Sequence, residues 1–245
     1  MLASLALATH MHAQVPVIPA PPVVVESLPA FDPPNGALLR PGLLTYVLTL
    51  TKPDGSLAPL GTRTVTVSDA TLGGMAGWLI ADARQGTAVE TTDSVYVQRG
   101  DLAPERWMAT IGRAQLGTTF TRDTMFGAVD SYRGRSSFTL AVPRGAMLSA
   151  GMTERVIELL PLRAGYRAGA VVMLLGGERP RVERAEIAVE REERIQIGNR
   201  DVQCWLVALR SEALEQRLWV SRDGARVVRT EQAVPGGVLT SVLLP

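Results

Sequence analysis

The sequence predicts a mainly β, antiparallel fold: a strongly curved sheet or open barrel with one short amphipathic helix against its concave face. Three observations carry that expectation. Apolar and polar residues alternate with a period of two over most of residues 43–245, glycine and Asp-Gly turns separate the alternating runs, and one segment alone switches to a helical period. The densest strand signal is C-terminal. Cys204–Leu209 is a continuous apolar run, Gln216–Ser221 a mixed one, and Asp223-Gly224 separates the latter from Arg226–Glu231, a hairpin signal because both turn residues tolerate positive φ. Gly236-Gly237 then precedes Val238–Leu243.

Taken from the N-terminus, Met1 to Ala13 reads as a secretory signal. Leu2–Ala8 is a short apolar run, and Met11-His12-Ala13 before Gln14 offers a cleavage site. Residues 14–42 read as an arm or linker, since eight of the sixteen prolines lie between Pro16 and Pro41 and each removes a backbone donor and fixes φ. A single β domain is expected over residues 43–245. Leu44, Tyr46, Leu48 and Leu50 alternate with Thr45, Val47, Thr49 and Thr51, and Pro53-Asp54-Gly55 turns the chain into Arg63–Val67. Further strands centre on Trp78–Ile80, Val95–Val97, Trp107–Ala109, Thr118–Phe120 and Phe138–Leu140. Ile187, Val189, Ile195 and Ile197 read as one face of a long strand, with Glu186, Glu190, Glu192 and Arg194 on the other.

The helical period falls on Leu148, Met152, Val156, Leu159 and Leu160, one stripe bracketed by Pro143 and Pro161. An all-β series with one such helix is solved by laying the helix in the concave face. Ala170–Leu175 follows as a strand buried on both faces. Glu154 and Glu158 fall off the apolar stripe beside Arg155, which reads as a solvated face.

Two segments carry a family resemblance. "QRLWVSRDGARVVRTE" (Gln216 to Glu231) and "ERVIELLPLRAGYRAGAVVMLL" (Glu154 to Leu175) resemble the closing hairpin and the helix, Pro-Leu step and following strand of a bacterial exported family known as domain of unknown function 3108. The resemblance implies an exported antiparallel β-protein, akin in shape to outer-membrane lipoprotein carriers, whose curved sheet wraps a helix and holds acyl chains. It implies no established activity.

Composition narrows the chemistry. A formal net charge of +1, with Lys52 the single lysine, does not make the concentrated basic face of a nucleic-acid binder. Both histidines, His10 and His12, sit in or beside the signal, so nucleophilic triads and the usual zinc sites lack their imidazoles. The lone Cys204 lies in an apolar run and reads as a buried, inert hydrophobe. Asp123 and Asp130, around Met125-Phe126-Gly127, form a second candidate carboxylate pair, which general acid/base work would require to face each other in an apolar pocket. No run approaches the ~18 to 20 apolar residues of a membrane-spanning helix.

The sequence therefore predicts a non-enzymatic, extracytoplasmic or periplasmic protein with no cofactor, no metal and no nucleic-acid partner. Its expected ligand is lipid-like or an acyl chain, held by Leu148, Met152, Val156, Leu160 and Met173. The alternative is a structural or protein-interaction β domain with a solid core, meeting an envelope protein.

Overall fold

A computed structural model describes residues 28–87, 90–143, 145–148, 150–176 and 179–245. The signal segment and the first half of the arm fall outside them. The described chain forms one 14-stranded antiparallel sheet and one helix. Strands β1 (Gly42–Thr51), β2 (Leu57–Leu72), β3 (Met75–Gln85), β4 (Thr91–Gln98), β5 (Pro104–Ile111), β6 (Ala114–Phe120), β7 (Thr124–Ser131) and β8 (Gly134–Ala141) run outward from the centre to one edge. Helix α1 (Ala150–Glu158) follows. Strands β9 (Arg167–Gly176), β10 (Arg179–Ile197), β11 (Arg200–Arg210), β12 (Glu215–Ser221), β13 (Val227–Val234) and β14 (Gly237–Leu243) return from the opposite edge until β14 pairs with β1.

This order makes a meander broken once, between β8 and β9, where the helical connection passes. The sheet cannot be flat. β5 and β9 stand ten places apart in it, roughly 48 Å if the ~4.8 Å strand spacing were laid out in a plane. Yet Trp107 of β5 and Val172 of β9 line the same cavity. Sheets of more than about ten strands curl for this reason: right-handed twist accumulates, and curling lets one face bury itself. One apolar cluster accordingly gathers Tyr46, Val65, Ile80, Trp107, Met125, Val207, Leu218 and Val227 from both halves, together with Met152, Val156 and Ile157 of α1.

The β9 edge is covered on its open side. Met147 pairs parallel to Val172 through Met147 N–H to the Val171 carbonyl at 2.9 Å and Met173 N–H to the Met147 carbonyl at 2.8 Å. Ala30 does the same beside Gly169, with Phe31 N–H donating to Gly169 at 3.2 Å and Gly169 N–H to Pro29 at 2.8 Å. Residues 28–41 thus form a strap from β9 to the β4–β5 turn, where Gly36 N–H donates to the Gly100 carbonyl at 2.8 Å and Trp78 Nε1–H to the Gly36 carbonyl at 2.9 Å. A side chain at Gly36 would put Cβ 2.5 Å from the Arg99 carbonyl oxygen, so the strap needs glycine there. Covering an edge in this way removes a template for unwanted strand pairing.

Four local readings need correction. Glu190 forms a bulge in the β10–β11 ladder, between Val189 and Arg191. Ile187 and Val189 consequently join the interior, whereas Ile195 and Ile197 pack with Cys204, Leu206, Trp219 and Val228 in a second cluster. An extra residue flips strict alternation to the other face, and periodicity alone does not register it. The β12–β13 loop is also longer than a two-residue Asp-Gly turn: Ser221 N–H reaches the Arg226 carbonyl at 2.8 Å, and the left-handed residue is Ala225 at φ 44°, not Asp223 or Gly224. Asp123 lies just before β7 and Asp130 near its end, and both carboxylates are exposed rather than facing each other in a pocket. Finally, Glu154 and Glu158 are buried, because α1 lies inside the curled sheet and the side opposite its apolar stripe meets another wall rather than water.

Candidate functional site

All eight residues from Gly151 to Glu158 are buried, so α1 is enclosed on every side. The helix can sit this close because Gly151 faces β3: a Cβ there would lie 3.2 Å from Asp82 Cβ and 3.3 Å from its carboxylate. Its last turn tightens, with Leu159 N–H bonded to Val156 at 3.0 Å and Leu160 N–H to Ile157 at 3.2 Å, before Pro161 ends it.

The polar side of α1 meets inward-pointing charges of the sheet. Arg63 follows the inward parity of Val65 and Val67 on β2, and Asp82 that of Trp78 and Ile80 on β3. Arg63, 1% exposed, donates from Nε and Nη2 to the two oxygens of Asp82 at 2.6–3.0 Å and from Nη1 to Glu154 Oε1 at 2.6 Å. Arg155 Nη2 lies 2.8 Å from Glu158 Oε1 and 3.6 Å from Glu154 Oε2. Glu158 Oε1 accepts Val227 N–H of β13 at 2.6 Å, and Tyr46 Oη donates to the Val227 carbonyl at 3.1 Å.

Burial opposes charge on both arginines, yet the carboxylates around them hold each guanidinium above its ordinary range, with Glu154 and Asp82 acting on Arg63 and Glu158 and Glu154 on Arg155. Three carboxyl groups face two guanidinium groups, and the mismatch falls on Glu158. Its burial, opposed by Arg155 and the Val227 N–H, pushes it up to about 7. Burial, reinforced by Glu154, pushes the Tyr46 phenol up as well. The cluster is a buried bolt between helix and sheet, in which Glu154 Oε2 and Arg155 Nε make no hydrogen bond among the described residues.

The five expected ligand residues, Leu148, Met152, Val156, Leu160 and Met173, are all buried in the main cluster. Met152, Val156 and Leu160 contribute to its packed interior. Leu148 and Met173 also line a cavity of about 290 Å³ at the rim, where β3 ends and β4 and β12 begin. Trp107, Met147, Val172 and Leu214 belong to its apolar wall, and Arg84, Asp93, Thr92, Gln216 and Gln232 stand around it. Trp107 is 1% exposed and its buried indole N–H has no hydrogen-bond partner among the described residues. Arg84, half-buried, makes no ion pair or side-chain hydrogen bond with another described residue.

A larger hollow of about 550 Å³ lies under the strap, against Leu28, Phe31, Pro33, Pro34, Ala103 and Val171. Its two charged residues, Asp101 and Arg184, both have partners already. Cys204 is buried in the second cluster, and burial followed by Glu193 pushes its thiol up to about 11, the setting of an unreactive cysteine. Among the described residues no three His, Cys, Asp or Glu side chains converge as a metal site, and no helix is long and apolar enough to cross a membrane.

The arrangement defines an open antiparallel sheet curled around a helix, and solved structures show a similar fold. A β-barrel-like protein of domain of unknown function DUF1849 from Brucella abortus is similar over 83% of this chain and 95% of its own, with a TM-score of 0.52 at 9% sequence identity. The hypothetical lipoprotein YmcC of Escherichia coli aligns over 86% of both chains at 13% identity, with a TM-score of 0.34. The first likeness establishes a shared fold and nothing about activity. No family model and no curated protein matches the chain, so the resemblance to domain of unknown function 3108 stands on the hairpin and helix segments alone.

Proposed function

We propose that this protein is a non-catalytic binder of a small hydrophobic or acyl-bearing ligand, held in the rim cavity at Leu148 and Met173. The observation that carries the reading is a cavity of about 290 Å³ with Met147, Leu148, Val172 and Met173 in its wall and a few polar side chains around it. Its size sits at the lower end of the ~300 to 1,000 Å³ typical of small-molecule sites, which are apolar with a few convergent polar groups. Methionines at Met147 and Met173 supply an adaptable lining. Support for a non-catalytic role comes from the buried carboxylates: Asp82, Glu154 and Glu158 are committed to Arg63, Arg155 and the backbone of β13. The segment Leu2–Ala13 supports export, and a site of action in the cell envelope follows from it.

The test is titration with N-phenyl-1-naphthylamine, whose fluorescence rises on entering an apolar site. Saturable uptake is expected, and Leu214→Asp, a change at a half-buried loop residue on the rim, should weaken it at least tenfold. A wild-type protein showing no saturable uptake would leave the rival, a structural domain with a solid core, as the correct reading.

A further inference from the structure

Resting on the reading of the rim cavity as a ligand site, we infer that its ligand is a single medium-length acyl chain ending in a carboxylate, with Arg84 receiving that carboxylate. Arg84 continues the inward row Trp78, Ile80, Asp82 on β3, and register places it directly opposite Arg63 on β2. Like charges facing each other across a ladder are unfavourable. Asp82 and Glu154 of the bolt pair with Arg63, and neither makes an ion pair with Arg84. The nearest acid on the adjoining strand, Asp93, sits opposite Asp82 and already has a partner. Folding alone gives no reason for a guanidinium here.

The cavity supplies one. A charged head at Arg84 leaves the chain to run along Leu148, Met173 and Trp107, so one ligand would match both the apolar wall and the unpaired cation. A guanidinium presents parallel N–H donors in the geometry of a carboxylate. The other polar residues lining the cavity are the neutral Thr91, Thr92, Thr153, Gln216 and Gln232 and one acid, Asp93, which already has a partner. A single cation beside one engaged acid suits a monoanion rather than a phosphate dianion, which draws clusters of positive charge.

The experiment compares decanoate, decanol and decyl phosphate at pH 7 by displacement of N-phenyl-1-naphthylamine from the full chain, in wild type and Arg84→Gln. Decanoate is expected to bind the wild type at least tenfold tighter than decanol and tighter than decyl phosphate. Arg84→Gln should erase the difference between decanoate and decanol while leaving decanol binding intact. Equal binding of decanoate and decanol to wild type would overturn the assignment of Arg84 and leave the apolar site standing. Preference for decyl phosphate would overturn the carboxylate, and loss of decanol binding in Arg84→Gln would show that Arg84 shapes the cavity rather than reads a head group. Probe uptake with displacement by none of the three would overturn the acyl ligand alone, whereas absence of probe uptake removes the site itself.

Discussion

Asp82 and Arg84 stand two residues apart on the same inner face of β3, and their surroundings are opposite in character. Asp82 belongs to a bolt in which each charged side chain is held by an opposite charge and sealed by α1. Arg84 belongs to the rim, where a cation faces a cavity without a partner of its own. On the proposed reading, the contrast separates buried charge that serves the fold from charge that would serve a ligand. Paired charges at the centre fix where the helix sits, and the unpaired one marks where the barrel is unfinished.

Substitutions should separate the two regions by size of effect. Met152→Asp places an unpaired carboxylate in the packed interior, where Met152 is 1% exposed. Such burial costs several kcal/mol, comparable to the ~5 to 15 kcal/mol stability of a whole domain, so this variant should fail to accumulate as folded protein in a soluble-expression assay. Arg63→Ala orphans Asp82 and Glu154 together. A loss of about 3 to 5 kcal/mol in urea unfolding is expected, the range for breaking a buried pair from one side.

Glu158 sets a pH dependence of opposite sign to that of an ordinary salt-bridged acid. Its folded value is pushed up to about 7 from 4.5, so between those values the folded protein keeps a proton that the unfolded chain has released. Stability from this group is therefore fully present below pH 4.5 and is lost as pH rises through 7, by up to about 3 kcal/mol. The groups facing it are Arg155, Glu154, Arg226 and the Val227 N–H. Denaturant melts from pH 4.5 to 8 should show this decline, and Glu158→Gln should flatten it. At the small end, Arg84→Gln should change stability by no more than about 0.5 kcal/mol, as for a position outside any cooperative network. A large loss there would place Arg84 in the bolt and collapse the distinction.

The framework of strands and helix could be read before the structure, whereas the contrast between Asp82 and Arg84 was not read, for a definite cause. Most of the strand centres were legible because each is a local periodicity, and so were Met152 and Val156 of the helix stripe, whereas Leu148 falls before α1 and Leu159 and Leu160 after it. The bolt was written locally too, as opposite charges at inward parity: Arg63 with Val65 and Val67, Asp82 with Trp78 and Ile80. What periodicity does not encode is what lies opposite a stripe. Glu154 and Glu158 look solvated on an isolated helix and are buried only because fourteen strands curl around it. The Glu190 bulge, which sends Ile195 and Ile197 to the other face, is likewise a property of the ladder with β11. The rim cavity depends on strands ten places apart in the sheet meeting one another, so it had no local signal at all.

The most direct test of the rim as the binding region uses the indole N–H resonances of the four tryptophans, one of which, Trp107, borders the cavity. In a nitrogen–proton correlation spectrum titrated with decanoate, the Trp107 indole signal should move saturably as its unpartnered N–H gains a new environment. Trp78, bonded to the Gly36 carbonyl at 2.9 Å beneath the strap, and Trp219, in the second cluster, should stay still. A titration in which no indole signal moves, or in which Trp78 moves and Trp107 does not, would contradict the account, the latter by placing the ligand under the strap.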